Sequence, residues 1–324
     1  MKTVTRRFAL AIAAAASLSF HGGASLAQAP KEIRVDFATY NPVSLVLKER
    51  GILEKALAAD GVKLRWVQSA GSNKALEFLS AGSLDFGSTA GAAALIGKIN
   101  GNPIKSIYVY SRPEWTALVT GAGSEIGKVA DLKGRRVAVT RGTDPHIFLV
   151  RALAEAGLSE KDVKLVLLQH ADGRTALERG DVDAWAGLDP LMAAAEVESG
   201  AKLFHRKAED NTWGVLNVRE AFAADNPQLV RKVIAAYEEA RSFALANPEE
   251  LKKILVSYTR LSDAVIERQL TRTELTHSSV GQAQADTILA AGLALKEAGV
   301  LPATVDVKAA VDALLDRRFA AAAN

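Results

Sequence analysis

Residues 136–146, RVAVTRGTDPH, hold the local pattern on which the fold prediction rests. A short run with β-branched residues, 136–140, ends in a turn that contains Gly142. Thr143 and Pro145 then favour the start of a helix. The same order of strand, small or polar turn and helix recurs along the chain. Alternating strands and helices predict a parallel sheet covered on both faces, so we expect an α/β protein.

Most of the chain can be divided into such elements. The predicted strands are residues 32–38, 62–67, 84–88, 104–110, 117–120, 136–140, 163–168 and 182–186. The predicted helices are residues 42–57 with a possible break at Gly51, then 72–80, 90–99, 145–156, 172–179, 227–246, 248–257, 262–270 and 281–298.

One sequence unit occurs twice. ALE at 75–77 leads to GSLDFG at 82–87, and ALE at 176–178 leads to GDVDAWAG at 180–187. Each copy is a helix, a glycine stop and a short strand that carries an aspartate and an aromatic residue. The repetition indicates two similar α/β units. The alternative is that any two helix–glycine–strand joints look alike.

Composition excludes several classes of protein. The 324 residues are 49% hydrophobic and 24% charged, which is typical of a globular protein of about two domains. There is no cysteine, which rules out disulfides, thiolate metal sites and cysteine nucleophiles. The histidines show no metal-ligand spacing, and the chain has no P-loop and no G-x-G-x-x-G. We expect neither a metal nor a cofactor.

The N-terminus predicts export. Lys2, Arg6 and Arg7 precede an apolar run, Phe8 to Phe20, that is too short to span a bilayer, and Ala27 completes a small-residue cleavage site. We expect a cleaved signal peptide over residues 1–27. Without its three basic residues, 37 Lys and Arg would face 37 Asp and Glu, so charge gives no argument for nucleic acid. No later apolar run is long enough for membrane insertion.

The turns after the strands are the candidate binding site, because ligands of open parallel sheets lie beyond the carboxyl ends of the strands. In the turn 141–143, Gly142 lets backbone approach a ligand, and Arg141 supplies positive charge and several donors. The helix that follows, with Thr143 or Asp144 as its N-cap, favours an anion at its N-terminus. The sequence therefore predicts an anion site, with an ordinary helix cap as the alternative.

Two further places belong to this prediction. Ser88 and Thr89 are interpreted as a second hydroxyl-bearing helix start that faces the first across a cleft, again with simple capping as the alternative. Trp185 stands near the end of a strand, where it can line the cleft. A hydrolase or lyase would need a nucleophile and a base, for which only Ser88 or Thr143 with His146 can be suggested.

Several segments, in chain order, carry a family resemblance. They are GST at 87–89, DLKG at 131–134, RGT at 141–143, and VDAWA at 182–186 followed by Asp189-Pro190. Together they resemble the periplasmic substrate-binding proteins of ABC importers for aliphatic sulfonates, taurine and nitrate. The resemblance covers nearly all of the chain after residue 27 and is strongest over 131–190.

The resemblance implies a fold and a set of ligand-binding residues. The fold is the two-lobed type II periplasmic binding protein, with the ligand cleft between the lobes. Lobe one would be residues 28–118 and 215–324, and lobe two residues 119–214. The family's anion-binding positions match Ser88, Thr89, Gly142 and Thr143, its loop after the first strand matches Tyr40 and Asn41, and one of its histidines matches His146.

Departures from the family fall beside the expected pocket. Ala90-Gly91 stands where the sulfonate members often have Gly-Asp, and Leu188 stands where they often have Trp. Asp189 would pair with the ammonium of an aminosulfonate such as taurine, or else cap a helix. The enzymes among the relatives imply a cysteine-dependent activity, which this chain, having no cysteine, does not support.

The expected function is that of a periplasmic, monomeric solute receptor and not of an enzyme. It would bind a small organic anion, an aliphatic sulfonate or a taurine-like compound, and deliver it to the transmembrane subunits of an ABC permease. Nitrate, a carboxylate or a heterocycle remain alternatives for the ligand. An exported hydrolase or lyase, or an exported scaffold that binds another protein, remain alternatives for the function.

Overall fold

A computed structural model describes residues 30–319; the expected signal peptide lies outside them. The strands within this range are, in chain order, β1 (Glu32–Phe37), β2 (Lys63–Gln68), β3 (Phe86–Ala90), β4 (Ile104–Pro113), β5 (Leu118–Thr120), β6 (Arg136–Val139), β7 (Lys164–Leu167), β8 (Ala184–Ala186), β9 (Lys202–His205), β10 (Gly214–Arg219) and β11 (Thr273–Glu274).

Helices join these strands and form most of the C-terminal third. In chain order they are α1 (Pro42–Glu49), α2 (Ile52–Ala58), α3 (Ser72–Ser80), α4 (Gly91–Ile99), α5 (Asp144–Glu155), α6 (His170–Arg179), α7 (Leu191–Ser199), α8 (Glu220–Asp225), α9 (Pro227–Ala246), α10 (Pro248–Thr259), α11 (Asp263–Leu270), α12 (Gln282–Glu297) and α13 (Val307–Leu314). Between residues 30 and 319, none of them has both the length and the apolar composition needed to cross a bilayer.

The strands form two sheets of mixed direction. The large sheet has the order β11-β4-β10-β3-β1-β2, and the small sheet has the order β7-β6-β8-β5-β9. In the large sheet β1 runs parallel to β2 and β3, and in the small sheet β6 runs parallel to β7 and β8. By contrast, β10 and β5 are antiparallel to both of their neighbours.

The prediction of wholly parallel sheets is therefore wrong at β5 and β10. The chain passes from the large sheet to the small one between β4 and β5, and returns between β9 and β10. The parallel strands of each sheet run toward this crossing region. A strand that enters a sheet from the crossing region runs away from it, and so lies antiparallel to its neighbours.

The two sheets repeat one plan, as the duplicated sequence unit predicts. Strand order matches position by position, from β2-β1-β3-β10-β4 to β7-β6-β8-β5-β9. Asp85, just before β3, accepts the backbone N–H of Arg34 at 2.8 Å and its guanidinium at 2.9 Å. Asp183, just before β8, accepts the same two groups of Arg136 at 2.8 and 3.0 Å. The shared ion pair supports two similar α/β units.

Apolar clusters cover both faces of each sheet. On the large sheet, one cluster joins α1 and α2 to α9, and another joins α4 to α12 and α13. On the small sheet, one cluster lies under α5 and another under α6 and α7. The halves also touch directly: Ala193 and Ala194 of α7 pack on Val265 of α11, while Ile147 of α5 packs on Ala291 of α12.

Helix bounds follow the sequence prediction closely where glycines end the helices. α3 has the predicted bounds, and Gly51, with φ of 60°, separates α1 from α2. The predictions were less accurate at the turns. β3 runs two residues further than expected and α6 begins two residues earlier. The sequence analysis did not predict β9, β10, β11, α7, α8 or α13.

Candidate functional site

A buried network joins the end of β1 to β3. The Asp36 carboxylate accepts the backbone N–H of Ser88 at 2.9 Å and the Ser88 Oγ hydroxyl at 2.8 Å. Ser88 Oγ accepts Asn41 Nδ2 at 2.8 Å. Burial raises the pKa of Asp36 to about 6, against the lowering effect of the Ser88 hydrogen bonds. The hydroxyl hydrogen of Ser88 is therefore donated to Asp36 and is not free for a ligand.

Tyr40 and Asn41 hold the turn after β1 in place. Asn41 Oδ1 accepts the backbone N–H of Ser44 at 3.1 Å and so caps α1. The Tyr40 hydroxyl donates to the Ser88 carbonyl at 3.0 Å, and its ring meets the Trp115 ring edge-on at 6.2 Å. Both residues are buried and fix this turn against β3.

The interpretation of Ser88 and Thr89 as a helix start is wrong. They lie within β3, because β10 pairs with that strand as far as Ala90. Thr89 Oγ1 accepts Asn217 Nδ2 of β10 at 2.8 Å. A hydroxyl that accepts one bond still has its hydrogen to donate, so Thr89 remains a candidate donor.

The start of α4 is likewise already bonded within the protein. The N–H of Gly91 donates to the carbonyl of Trp213 at 2.8 Å, and the N–H of Ala92 donates to Thr212 Oγ1 at 3.2 Å. Both acceptors belong to the segment that returns from the small sheet. The N-terminus of α4 therefore holds the segment that returns from the small sheet in place.

The turn after β6 is open at its glycine. Gly142 has φ of 78°, in the region that favours glycine, and no atom beyond its two chain neighbours lies within 4 Å of the position that a Cβ would take. Thr143 precedes α5, and its Oγ1 donates to the Thr140 carbonyl at 2.7 Å. The helix start and the open backbone at Gly142 are as the sequence predicts for an anion site.

Asp144, the first residue of α5, binds both crossing segments. It accepts Trp115 Nε1 at 2.8 Å, from the segment that leaves the large sheet. It also accepts the N–H and Oγ1 of Thr212 at 3.0 and 2.7 Å, from the returning segment. Burial raises the pKa of Asp144. This carboxylate ties the two crossings together at the base of the turn.

Arg141 and His146 both face Glu160. His146 Nε2 lies 2.9 Å from Glu160 Oε1, and the Arg141 guanidinium lies 3.6 Å from the same oxygen. The His146 hydrogen bond and, more weakly, the Arg141 charge lower the pKa of Glu160. The Arg141 side chain is half exposed. The structure thus gives both side chains a partner outside the turn.

The nucleophile–base pair that a hydrolase would need does not form. Ser88 Oγ donates to Asp36, Thr143 Oγ1 donates to the Thr140 carbonyl, and Nε2 of His146 is hydrogen-bonded to Glu160. Nδ1 of His146 is buried and has no hydrogen-bond partner among residues 30–319, so neither hydroxyl is bonded to this histidine.

Trp185 belongs to the core of the small sheet. It is fully buried in β8, and a Cβ placed on Gly173 in the first turn of α6 would lie 2.8 Å from Trp185 Nε1. Gly173 lets α6 approach the indole this closely. The indole ring packs against the first turn of α6 and does not line an open cleft.

Asp189 is paired with an arginine. It accepts Arg272 Nε at 2.9 Å and Nη2 at 2.8 Å, and its Oδ1 also accepts the Ala193 N–H of α7 at 2.9 Å. Burial raises the pKa of Asp189 to about 6, against the opposing effect of Arg272. The capping alternative fits this geometry, since the carboxylate already has a cation.

Sequence reasoning missed a meeting of two turns, one from each sheet. Gly71 caps α3, and a Cβ placed on it would lie 3.1 Å from Nε2 of His170, the first residue of α6. His170 is buried, and burial lowers its pKa to about 3. The signal was available, because both turns follow strands at the carboxyl edge, as do the turns that were singled out.

These features define a class of protein. Two α/β sheets of equal strand order are joined by two crossings, and the turns at their carboxyl edges face one another. This is the fold of the periplasmic binding proteins. Residues 57–251 match the family described as NMT1/THI5 like, and the chain belongs to that family.

Relatives and solved structures agree on the kind of protein. An aliphatic sulfonates-binding protein of Escherichia coli K12 is 30% identical over 213 residues, which are 65% of this chain and 66% of that protein. The alkanesulfonate-binding protein SsuA from Xanthomonas axonopodis pv. citri, bound to MOPS, superposes with a TM-score of 0.80 at 26% identity, over 87% of this chain and 98% of that one. SsuA from Escherichia coli gives a TM-score of 0.73 at 27% identity, over 86% and 91%.

Proposed function

We propose that this chain is the periplasmic receptor of an ABC importer, which binds a small organic anion between its sheets and delivers it to the permease. One observation carries the proposal. The N-terminal ends of α3 and α6, two helices that pack on different sheets, meet at Gly71 and His170. The site therefore lies where closure of two lobes would enclose a solute.

The lobes of this receptor would be residues 28–118 with 215–324, and residues 119–214. Residues 28–118 contain β1 to β4, and residues 215–324 contain β11 and all of β10 except its first residue. Residues 119–214 contain the small sheet except the first residue of β5. Solute would be held by the backbone at Gly142, the start of α5 and the Thr89 hydroxyl. Tyr40, Asn41 and Ser88 would shape the wall of the site by fixing the turn after β1.

A sulfonate is the proposed anionic group. The related proteins described above are named for sulfonates, and MOPS, bound to one of them, itself carries a sulfonate. Helix N-termini and backbone N–H groups suit such an anion, because their dipoles and unpaired donors converge on its oxygens. The N-terminal pattern at residues 1–27 supports export, and we propose that the receptor acts as a monomer.

A ligand screen tests the proposal. Thermal unfolding of the purified protein is measured in Tris, since sulfonate buffers would compete. The panel contains alkanesulfonates of increasing length, taurine, sulfate, nitrate and the carboxylates of matching length. A sulfonate at 100 times its Kd should stabilise the fold by about 2.7 kcal/mol. Stabilisation by the carboxylates alone, or by no anion, would refute the sulfonate receptor.

A further inference from the structure

Two hydrogen-bond acceptors converge where α3 meets α6. A Cβ on Gly71 would lie 2.8 Å from Asn73 Oδ1 and 3.1 Å from His170 Nε2. Both atoms are buried, and neither has a hydrogen-bond partner among residues 30–319. The His170 residue as a whole is only 3% exposed. Buried polar atoms are normally paired, so these two require a partner that the described chain does not supply.

The hydrogen bonds of Thr140 decide which nitrogen of His170 carries the proton. Thr140 Oγ1 lies 2.7 Å from the Leu168 carbonyl, which accepts its single hydrogen. The same oxygen lies 3.2 Å from His170 Nδ1 and can only accept there. Nδ1 therefore holds the imidazole hydrogen. In a neutral ring, Nε2 is then a bare acceptor.

The surroundings keep the ring neutral. Burial lowers the pKa of His170 to about 3, and no charged side chain contributes to this shift. The ring also stands at the N-terminal ends of α3 and α6, where the helix dipoles disfavour a positive charge. Because these two acceptors lie near the positive ends of two helix dipoles, they suit an uncharged donor better than an ammonium group.

We propose that a hydroxyl group of the solute donates its one hydrogen to His170 Nε2, beside Asn73 Oδ1, so that the preferred solute is a hydroxyl-bearing organic sulfonate. This inference rests on the proposed function and narrows its substrate class. Asp189 is not available for a solute donor, because Arg272 already occupies it. Selectivity follows because a solute without a donor leaves the buried His170 Nε2 unpaired, whereas the hydroxyl group pairs it.

The test compares three solutes of equal length by calorimetry at pH 7.5. They are ethanesulfonate, 2-hydroxyethanesulfonate and 2-aminoethanesulfonate. The hydroxyl compound should bind at least about tenfold more tightly than ethanesulfonate. If ethanesulfonate binds equally well, or the amino compound binds most tightly, this inference is overturned and the sulfonate receptor stands. If none of the three binds, while other sulfonates also fail, the proposed function falls and this inference falls with it.

Variants of His170 test whether this residue causes the preference for the hydroxyl compound over ethanesulfonate. His170→Leu should abolish it, whereas His170→Gln, which retains an acceptor near the place of Nε2, should keep most of it. His277→Leu is the matched control, because His277 is an exposed histidine paired with Glu274. Equal weakening of all three solutes by His170→Leu would assign His170 to the fold or to the anion and overturn the inference.

The protonation state of each His170 ring nitrogen can be measured directly. In ¹⁵N spectra of the protein, His170 should show an unprotonated Nε2, and this signal should shift with 2-hydroxyethanesulfonate much more than with ethanesulfonate. A doubly protonated His170 at pH 7.5 would contradict the proposal independently of any affinity.

Discussion

Asp189 and Arg272 form a buried ion pair that joins the turn after β8 to the residue before β11. Two bonds of 2.9 and 2.8 Å connect them, and their side chains are 3% and 5% exposed. Arg272 also bonds Glu196 of α7 at 2.7 Å. A single arginine thus connects the turn after β8 and helix α7 to the segment that follows α11.

Removal of Arg272 should strongly destabilise the protein. Arg272→Met leaves Asp189 buried without its cation, which costs about 3 to 5 kcal/mol in the free energy of unfolding. Arg268→Met is the matched control, because Arg268 meets the same Glu196 at 3.3 Å from an exposed position. It should cost about 1 kcal/mol or less. Urea unfolding of both variants measures the difference, and equal losses would show that burial does not decide the strength of these pairs.

The repeated arginine–aspartate pair should be stronger in the large sheet. Asp85 is 2% exposed and bonds both Arg34 and Arg219, whereas Asp183 is 27% exposed and bonds Arg136. Asp85→Asn should therefore cost about 3 kcal/mol, because it leaves two guanidinium groups without a carboxylate. Asp183→Asn should cost less than half of that loss. The midpoints of chemical unfolding test the order, and the reverse order would refute it.

The sequence predicted local structure better than contacts between distant segments. The bounds of α3, the break at Gly51 and the open turn at Gly142 follow from glycines and from residue preferences nearby. The antiparallel strands β5 and β10 could not be predicted this way, because their direction depends on where the chain crosses between sheets. A helix signal at Ala90 was also overridden, since pairing with β10 extends β3.

The candidate site was predicted only in part for the same reason. The turn at Gly142 and the turn after β1 were identified from their positions after strands. The partners of Arg141, His146 and Asp189 lie far from them in sequence or in another turn, and a single sequence does not reveal them. The positions of Gly71 and His170 after strands are visible in the sequence, but their approach joins two sheets and no local pattern encodes it.

Gly142→Ala should weaken solute binding beyond its effect on the fold. Alanine at φ of 78° costs about 1 kcal/mol in stability, and its Cβ also enters the open space beside the turn. Gly134→Ala is the control, since that glycine has φ of 73°, has equally open surroundings and lies at the opposite end of β6 from the turn. Both variants should lose similar stability, and only Gly142→Ala should lose about tenfold or more in sulfonate affinity. Equal affinities would remove Gly142 from the site.

Solute affinity should fall in acid because of His170. In this structure burial lowers the pKa of His170 to about 3, and opening of the cleft to water should return the ring to a pKa near about 6.5. The closed form then binds fewer protons than the open form between these values. Affinity is therefore fully present above pH 6.5 and is lost as the pH falls below it, by up to about tenfold per unit.

Calorimetry with 2-hydroxyethanesulfonate measures this effect, since neither its hydroxyl nor its sulfonate titrates in the range. Between pH 7.5 and 5.5 the affinity should drop about tenfold in the wild type and in the His277→Gln control. In His170→Gln it should stay nearly constant, because glutamine takes up no proton. A rise in affinity on acidification would mean that an imidazolium donates to the anion, and the neutral acceptor at His170 would be wrong.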